Sequence, residues 1–488
     1  MFLLTRRELT VLGLLFALLL PAVTARLYSS DEVQYFSYLR SLCFDRDVSF
    51  ENEYRYFYDR NIAQSPGFHE TFLERATATG RRVNYGTMGA ALLWLPFYAA
   101  ADIWTRTTGV ADANGFTQPY VNAVAYGSAF YGFFAILLSI RAARLLVRGK
   151  GAFSAGLAIW FGTPLLFYMY VAPPFSHACS AFAVALLVTV WLRVRDTWSP
   201  LGVVALGLSA ALVAMVREQD AFVVVGPVID FVWRFASAFL RARGTPPPVA
   251  FARRRVSAAL HSVASLRPLA LAGLGVISTA VGFTPQLLAY NALNGYAGPA
   301  EHVSRKMYWY APHGLQVLAS PHHGFFFWTP LAVLAIAGLC LLKDRLIAAC
   351  LLMMAASQVY VAGSVESWTV AGAFGQRRFV CLTALLVIGL AALWGRVADR
   401  ANVASVQIRS PFWKSNRPVY AVLIALCVWW NIALMAQFAT RLMDRQRLEP
   451  ARNAYHAFVT LPLEAHSLAW RYLTQRASFY ESPGRDAR

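Results

Sequence analysis

The chain has 488 residues, 58% hydrophobic and only 14% charged, with a mean hydropathy of +0.46. Soluble domains carry about 25% charged residues, so a water-soluble globular protein is excluded. The formal charge of +19 would suggest nucleic acid in a soluble chain. Here the basic residues sit in a few loops between apolar runs, so membrane lipids, not nucleic acid, are the expected partner.

The first apolar run, Leu9 to Ala25, follows Arg6 and Arg7 and is read as an uncleaved anchor rather than a cleaved signal peptide. With those arginines inside, Leu27 to Tyr35 emerges outside, carrying the adjacent carboxylates Asp31 and Glu32. In lipid both would be costly. Two readings stand together: a general base for a substrate at the membrane surface, and a helix capping box, Ser29-x-x-Glu32.

Residues 26–82 mix aromatics with Asp45, Asp47, Glu51, Glu53, Asp59, Glu70 and Glu74. Such acids could hold a divalent cation, though a solvated acidic surface is the commoner explanation. Tyr85 to Trp104 is long enough to span. Counted as a span it would place Arg141, Arg144, Arg148 and Lys150 outside, so a surface or re-entrant helix is expected instead.

Further spans are predicted near 119–140, 152–172, 177–192, 199–216, 221–240, 268–290, 325–342, 345–363, 379–395 and 418–436, about eleven with the first. The inner loops then carry Arg193 and Arg195; Arg241, Arg243, Arg253, Arg254, Arg255 and Arg267; Lys343 and Arg345; and Arg396, Arg400, Arg409, Lys414 and Arg417. Pro246-Pro247-Pro248 reads as a flexible inner linker. The expected organisation is an all-α polytopic bundle: first helix 1–25, outer loop 26–118, bundle 119–436, outer tail 437–488 with a surface helix near Glu464 to Arg476.

The cysteines, Cys43, Cys179, Cys340, Cys350, Cys381 and Cys427, include no CxxC pair, and mostly lie in or beside apolar runs as small hydrophobes. No Walker loop, dinucleotide fingerprint or HExxH is present.

On this topology the unusual residues gather outside. They are Asp31 and Glu32, His177, Arg217-Glu218-Gln219-Asp220, His302 with Tyr308-Trp309-Tyr310, His322-His323, Trp368, and Arg377-Arg378. Each has a plainer reading: an aromatic belt for Trp309, Phe325, Phe327 and Trp328, a cap for His177, and a self-satisfied ion cluster for 217–220. His322-His323 as a metal pair is a weak signal. Arg377-Arg378 stands out because positive residues are disfavoured at the outer start of a span, and guanidinium suits phosphate.

These features resemble the GT-C superfamily of polytopic glycosyltransferases: Asp31-Glu32 after the first helix, a large first outer loop, and Asn84-Tyr85-Gly86 to Leu95-Pro96-Phe97-Tyr98. Ser320-Pro321-His322-His323-Gly324-Phe325 to Trp328-Thr329-Pro330, and Ser367-Trp368 to Phe374-Gly375-Gln376-Arg377-Arg378-Phe379, are similar to bacterial members related to dolichyl-phosphate-mannose mannosyltransferases and the aminoarabinose transferase. The resemblance implies transfer, with inversion, from a polyprenyl-phosphate sugar to a glycan, lipid or protein acceptor, at the outer face of a bacterial plasma membrane. It implies Asp31, or alternatively Glu32, as the base, and Arg377 or Arg378 on the donor phosphate. Arg217 is a further candidate for that phosphate, and His177, His322, His323, Trp368 and Tyr85 for substrate. No cofactor follows beyond the possible divalent cation, and no firm metal-ligand set is evident. Rival readings are a transporter or flippase of lipid-linked sugars, disfavoured by spans poor in carboxylates with Asp230 the chief exception, and a polysaccharide ligase.

Overall fold

A computed structural model describes residues 4–63, 65–147, 151–244, 254–370, 372–407 and 416–479. The expected linker Pro246–Pro248, and Arg148, Lys150, Arg253, Arg409 and Lys414, lie outside them, as do the side chains of 241–265 and 398–417. Among the described residues the chain is helical, with two isolated β-bridges and no strand.

Among the described residues, six helices are long and apolar enough to cross a membrane. They comprise α5 (Gln118–Leu146), α8 (His177–Val194), the apolar part of α11 (Arg254–Asn294), α16 (Arg345–Ser364), α17 (Thr383–Gln407, entered through a 3-10 stretch, Arg377–Leu382) and α18 (Asn416–Thr440). Other helices fill the remaining expected spans: α1 (Arg6–Leu19), α9 (Pro200–Val216), and α10 (Val225–Gly244) after a 3-10 stretch Glu218–Val224; the short α12 (Glu301–Arg305) and α13 (Gly314–Ala319) follow α11.

Two expected continuous spans are broken. Residues 152–172 divide into α6 (Gly151–Gly162) and α7 (Leu165–Tyr170), and 325–342 into α14 (Phe325–Trp328) and α15 (Leu331–Leu339). Pro164 and Pro330 stand at the breaks, and the residue before a proline is pushed out of the helical region. The aromatic-belt expectation is half corrected: Phe325 and Trp328 are core residues, while Trp309 and Phe327 are exposed.

Lipid supplies little hydrophobic force between helices, so close backbone approach matters more. At the α15–α17 crossing, a Cβ on Gly338 would collide with the Gly389 carbonyl, and one on Gly389 with the Ala335 carbonyl. Only glycine fits either position.

The first loop is a folded layer. Its helices α2 (Ser30–Arg40) and α3 (Glu51–Asp59) bury Phe36, Tyr38, Phe50, Tyr54 and Phe57. Its acids are tied by arginines: Arg40 to Asp45 and Glu53, and Arg55 and Arg82 to Glu51. Burial raises the Glu53 pKa to about 7 against the pull of Arg40. Among the described residues no three His, Cys, Asp or Glu side chains converge to hold a metal ion.

Helix α4 (Gly89–Thr108) starts against the end of α9, where Thr87 bonds to the Val216 carbonyl at 3.0 Å. It ends beside the first turn of α5, where Tyr120 donates to Asp102 at 2.6 Å. Gln118 in that turn donates to the Ala25 carbonyl, just beyond α1. Both ends of α4 therefore lie at the same end of the bundle. At the opposite end Arg144 pairs with Glu8. There Asp230 is fully buried, gripped by both arms of Arg195 at 3.0 and 3.1 Å and by Arg234 and the Trp191 indole.

Candidate active site

Helix α2 presents the two carboxylates in opposite ways. Glu32 turns inward, fully buried, and its Oε2 accepts from the Tyr28 and Ser29 N–H groups at 2.9 and 3.0 Å. This is the expected capping box. Burial pushes the Glu32 pKa up to about 8, the two N–H donors only partly opposing it. Its Oε1 has no hydrogen-bond partner. Asp31, about 100° round the helix, keeps 36% of its side chain exposed and meets Arg377 at 3.0 Å.

The two arginines divide in the same manner. The Arg377 guanidinium lies 5.4 Å from the centre of the Phe175 ring, a cation–π contact that holds it beside Asp31. Arg378 turns into the protein and donates to the Ser367 carbonyl and hydroxyl at 3.0 and 3.2 Å. Gly375 lets this loop close down: at φ +61° it is left-handed, and a Cβ there would strike the Pro164 ring.

Arg217 joins from the end of α9. It reaches the Ser176 hydroxyl at 3.4 Å, the Gln219 amide oxygen at 3.3 Å, and Asp220 at 3.4 Å. Tyr35 and Tyr168 lie within electrostatic reach of Asp31, Arg217 and Arg377. Arg377 thus meets the partly exposed Asp31, and Arg378 lies within electrostatic reach of Asp31, Arg377 and Arg217, while Asp220 is buried and shared with Ser180. A cluster with that surplus of fixed positive charge is suited to an anion.

Among the remaining expected residues, His177 joins the cluster. It is buried, facing Arg217, Arg377 and Arg378, with its ring edge-on to Tyr168 at 4.5 Å. It makes no capping bond at the start of α8, which corrects the cap reading. Trp368 stacks on His313 at 5.3 Å, and its carbonyl accepts from Gln376 beside Arg377. Tyr85 packs on His302, its N–H donating to Gln34 of α2.

His322 and His323 do not form a pair. His323, left-handed at φ +59°, is buried against Trp328 and donates from Nε2 to the Ala373 carbonyl at 2.9 Å. Burial lowers its pKa to about 4, so it is neutral and braces the loop before Arg377; the expectation that it faces substrate is corrected. His322 is exposed.

Tyr35, Tyr168 and Phe175 were absent from the sequence-based candidates. Tyr35 was findable, four residues after Asp31 on the same helix face. Tyr168 sits in an apolar run with no signal of its own, and Phe175 lies in the outer stretch Pro173-Pro174-Phe175-Ser176-His177, where His177 is the residue singled out.

No family model matches the chain, and no curated protein matches it. Among solved structures, the crystal structure of ArnT from Cupriavidus metallidurans bound to undecaprenyl phosphate is similar over 96% of this chain and 78% of that one. The TM-score is 0.50 at 15% identity. At that identity the likeness speaks to the fold alone, an all-α helical bundle like that of ArnT.

Proposed function

We propose that the chain is an inverting membrane glycosyltransferase, moving a sugar from a polyprenyl-phosphate donor to an acceptor hydroxyl at the outer face of a bacterial plasma membrane. The observation that carries this reading is the Asp31–Arg377 pair, 3.0 Å apart and partly open, with Arg217 and Arg378 behind it. A carboxylate that can take a proton stands beside guanidiniums that can hold phosphate. That ArnT was solved with undecaprenyl phosphate supports the same class of donor.

In this mechanism Asp31 accepts the proton of the acceptor hydroxyl. The freed oxygen attacks the anomeric carbon from the face opposite the phosphate, and the carbon–oxygen bond to phosphate breaks with its electron pair. The departing polyprenyl phosphate gains negative charge, which Arg377 and Arg217 stabilise, typically by ~3 kcal/mol for each such donor. One Arg377 nitrogen holds Asp31, leaving the rest of the fork for phosphate. Glu32 caps α2 and fixes the direction of Asp31. Arg378 positions Ser367 and Trp368, whose ring with Tyr85 and His322 offers surface for the sugar or acceptor.

The polyprenyl chain needs an apolar path to this point. A groove between α6 and α18, lined by Leu157, Phe161, Val428 and Ile432, opens toward the lipid-facing surface. It ends where Asn431 donates to the Phe161 and Thr163 carbonyls, at the break before Pro164. The far side of Pro164 is Gly375, two residues from Arg377.

Asp230 is the chief carboxylate within the spans, where a transporter would need one. That carboxylate is consumed by Arg195, Arg234 and Trp191. The test is incubation of the purified protein with a polyprenyl-phosphate-linked radiolabelled sugar and candidate acceptors. Transfer with inverted anomeric configuration is expected. Movement of intact donor between leaflets without release of polyprenyl phosphate would refute it.

A further inference from the structure

The C-terminal segment is expected as an outer polar tail with a surface helix near Glu464 to Arg476, and the structure packs it against α18 and the end of α1. After α18 ends at Thr440 the chain runs back along that helix through α19 (Pro450–Tyr455). Asn453 exchanges hydrogen bonds with Gln437 at 2.9 and 3.1 Å. Further on, the Ala457 carbonyl accepts from the Trp429 indole at 3.1 Å, and Ala457 packs on Ala433. Trp429 is three turns before the end of α18, roughly 16 Å back along its axis. Asn453 is therefore level with the last turn of α18, and Ala457, beside Ala433 and the Trp429 indole, lies further back along it. That span is itself lipid-facing: Val419, Val422, Leu423 and Leu426 project outward unpacked.

From there α20 (Leu461–Thr474) crosses to the first helix. Leu461 and Leu468 face the protein, in the cluster with Trp429 and Trp430. Leu463, His466, Trp470 and Leu473 recur at three- and four-residue steps along another face. Leu463, Trp470 and Leu473 are 72%, 70% and 79% exposed, continuing the exposed Tyr455 and Phe458. Glu464 and Arg471 lie on the flank, giving the stripe a polar border. The segment then ends on Arg476, which donates to the Pro21 and Ala22 carbonyls and to Thr24, a few residues before Tyr28 and Asp31.

We propose that α20 is an interfacial strap, lying in the headgroup–acyl boundary with Leu463, Trp470 and Leu473 turned into lipid. Its occupant is the bilayer, because the apolar stripe continues the lipid-facing surface of α18 and carries tryptophan where interfacial helices place it. The strap ties α18 to the segment that bears Asp31, independently of which chemistry that carboxylate performs.

The test places a nitroxide at Leu463→Cys, Glu464→Cys, Trp470→Cys or Leu473→Cys, one at a time, in the full chain with Cys43 and Cys340 changed to Ser. Each variant that keeps the parent's melting transition is measured in lipid nanodiscs. Oxygen should relax the labels at 463, 470 and 473 more than a water-soluble nickel chelate does, with the order reversed at 464. Chelate access at all four positions would overturn the strap and return the stripe to water. Spin–spin broadening at 470 that vanishes with one chain per nanodisc would overturn it in favour of a second copy of the chain.

Discussion

Asp31 and Glu32 are chain neighbours with opposite surroundings, and substitution should separate them. Asp31→Asn keeps shape but cannot take a proton, so turnover should fall by at least ~100-fold with folding intact. Glu32→Gln should leave most of the turnover, because an amide oxygen can still accept from Tyr28 and Ser29. Its signature is pH dependence. The folded state holds the Glu32 proton more tightly than the unfolded chain does, so this group contributes stability below its ordinary pKa of 4.5 and loses it as pH rises toward about 8. Thermal melts at pH 5 and pH 8.5 should show wild type losing ground to Glu32→Gln at the higher pH; parallel melts would deny the buried acid. Arg377 and Arg378 should differ likewise. Arg377→Lys keeps charge but loses the fork, and should slow turnover; Arg377→Ala should cost roughly 2–4 kcal/mol in transition-state terms. Arg378→Ala should chiefly lower the melting temperature, by freeing the Ser367 loop. Much of this division was legible, since adjacent helical residues point about 100° apart and the capping box assigns Glu32. Which arginine meets Asp31 was not, because Phe175 and Ser367, far apart in sequence, decide it.

At the scale of elements the spans were legible and their interruptions were not. A window of apolar residues registers length and hydropathy, so 152–172 and 325–342 read as single spans although Pro164 and Pro330 break them. Both breaks serve the site, one receiving Gly375 and the other following the His323 turn. Two element-scale predictions follow from packing. Gly389→Ala should force α15 and α17 apart, costing about 1–3 kcal/mol or more, read as a lower melting temperature in detergent. Asp230→Asn should cost about 3–5 kcal/mol, because it strips a buried arginine of its partner. Transfer activity per folded molecule should survive, whereas a carboxylate in a transport path would lose function without losing stability.

For the molecule as a whole, loop charge organises the expectation that Arg6, Arg144 and Arg195 share one side. Glu8–Arg144 and the Arg195–Asp230 network lie at the bundle end away from Asp31. Reporters fused after Lys150, within Pro246–Pro248 or after Lys414 should read cytoplasmic, and those after Asp59 or at the C-terminus external. A cytoplasmic C-terminus would place the Asp31 cluster on the wrong side for an external acceptor. The strap of α20 was illegible beyond a surface helix, since its depth is set by the Trp429–Ala457 contact rather than by its own composition. In the proposed mechanism Asp31 does the chemistry while Arg377 holds the donor's phosphate. The direct measurement is donor affinity and single-turnover transfer on the same samples of wild type, Asp31→Asn and Arg377→Ala. Asp31→Asn should show near-normal donor binding but at least ~100-fold slower transfer, and Arg377→Ala weakened binding together with slowed transfer. Wild-type transfer by Asp31→Asn, or undiminished binding and transfer by Arg377→Ala, would contradict it.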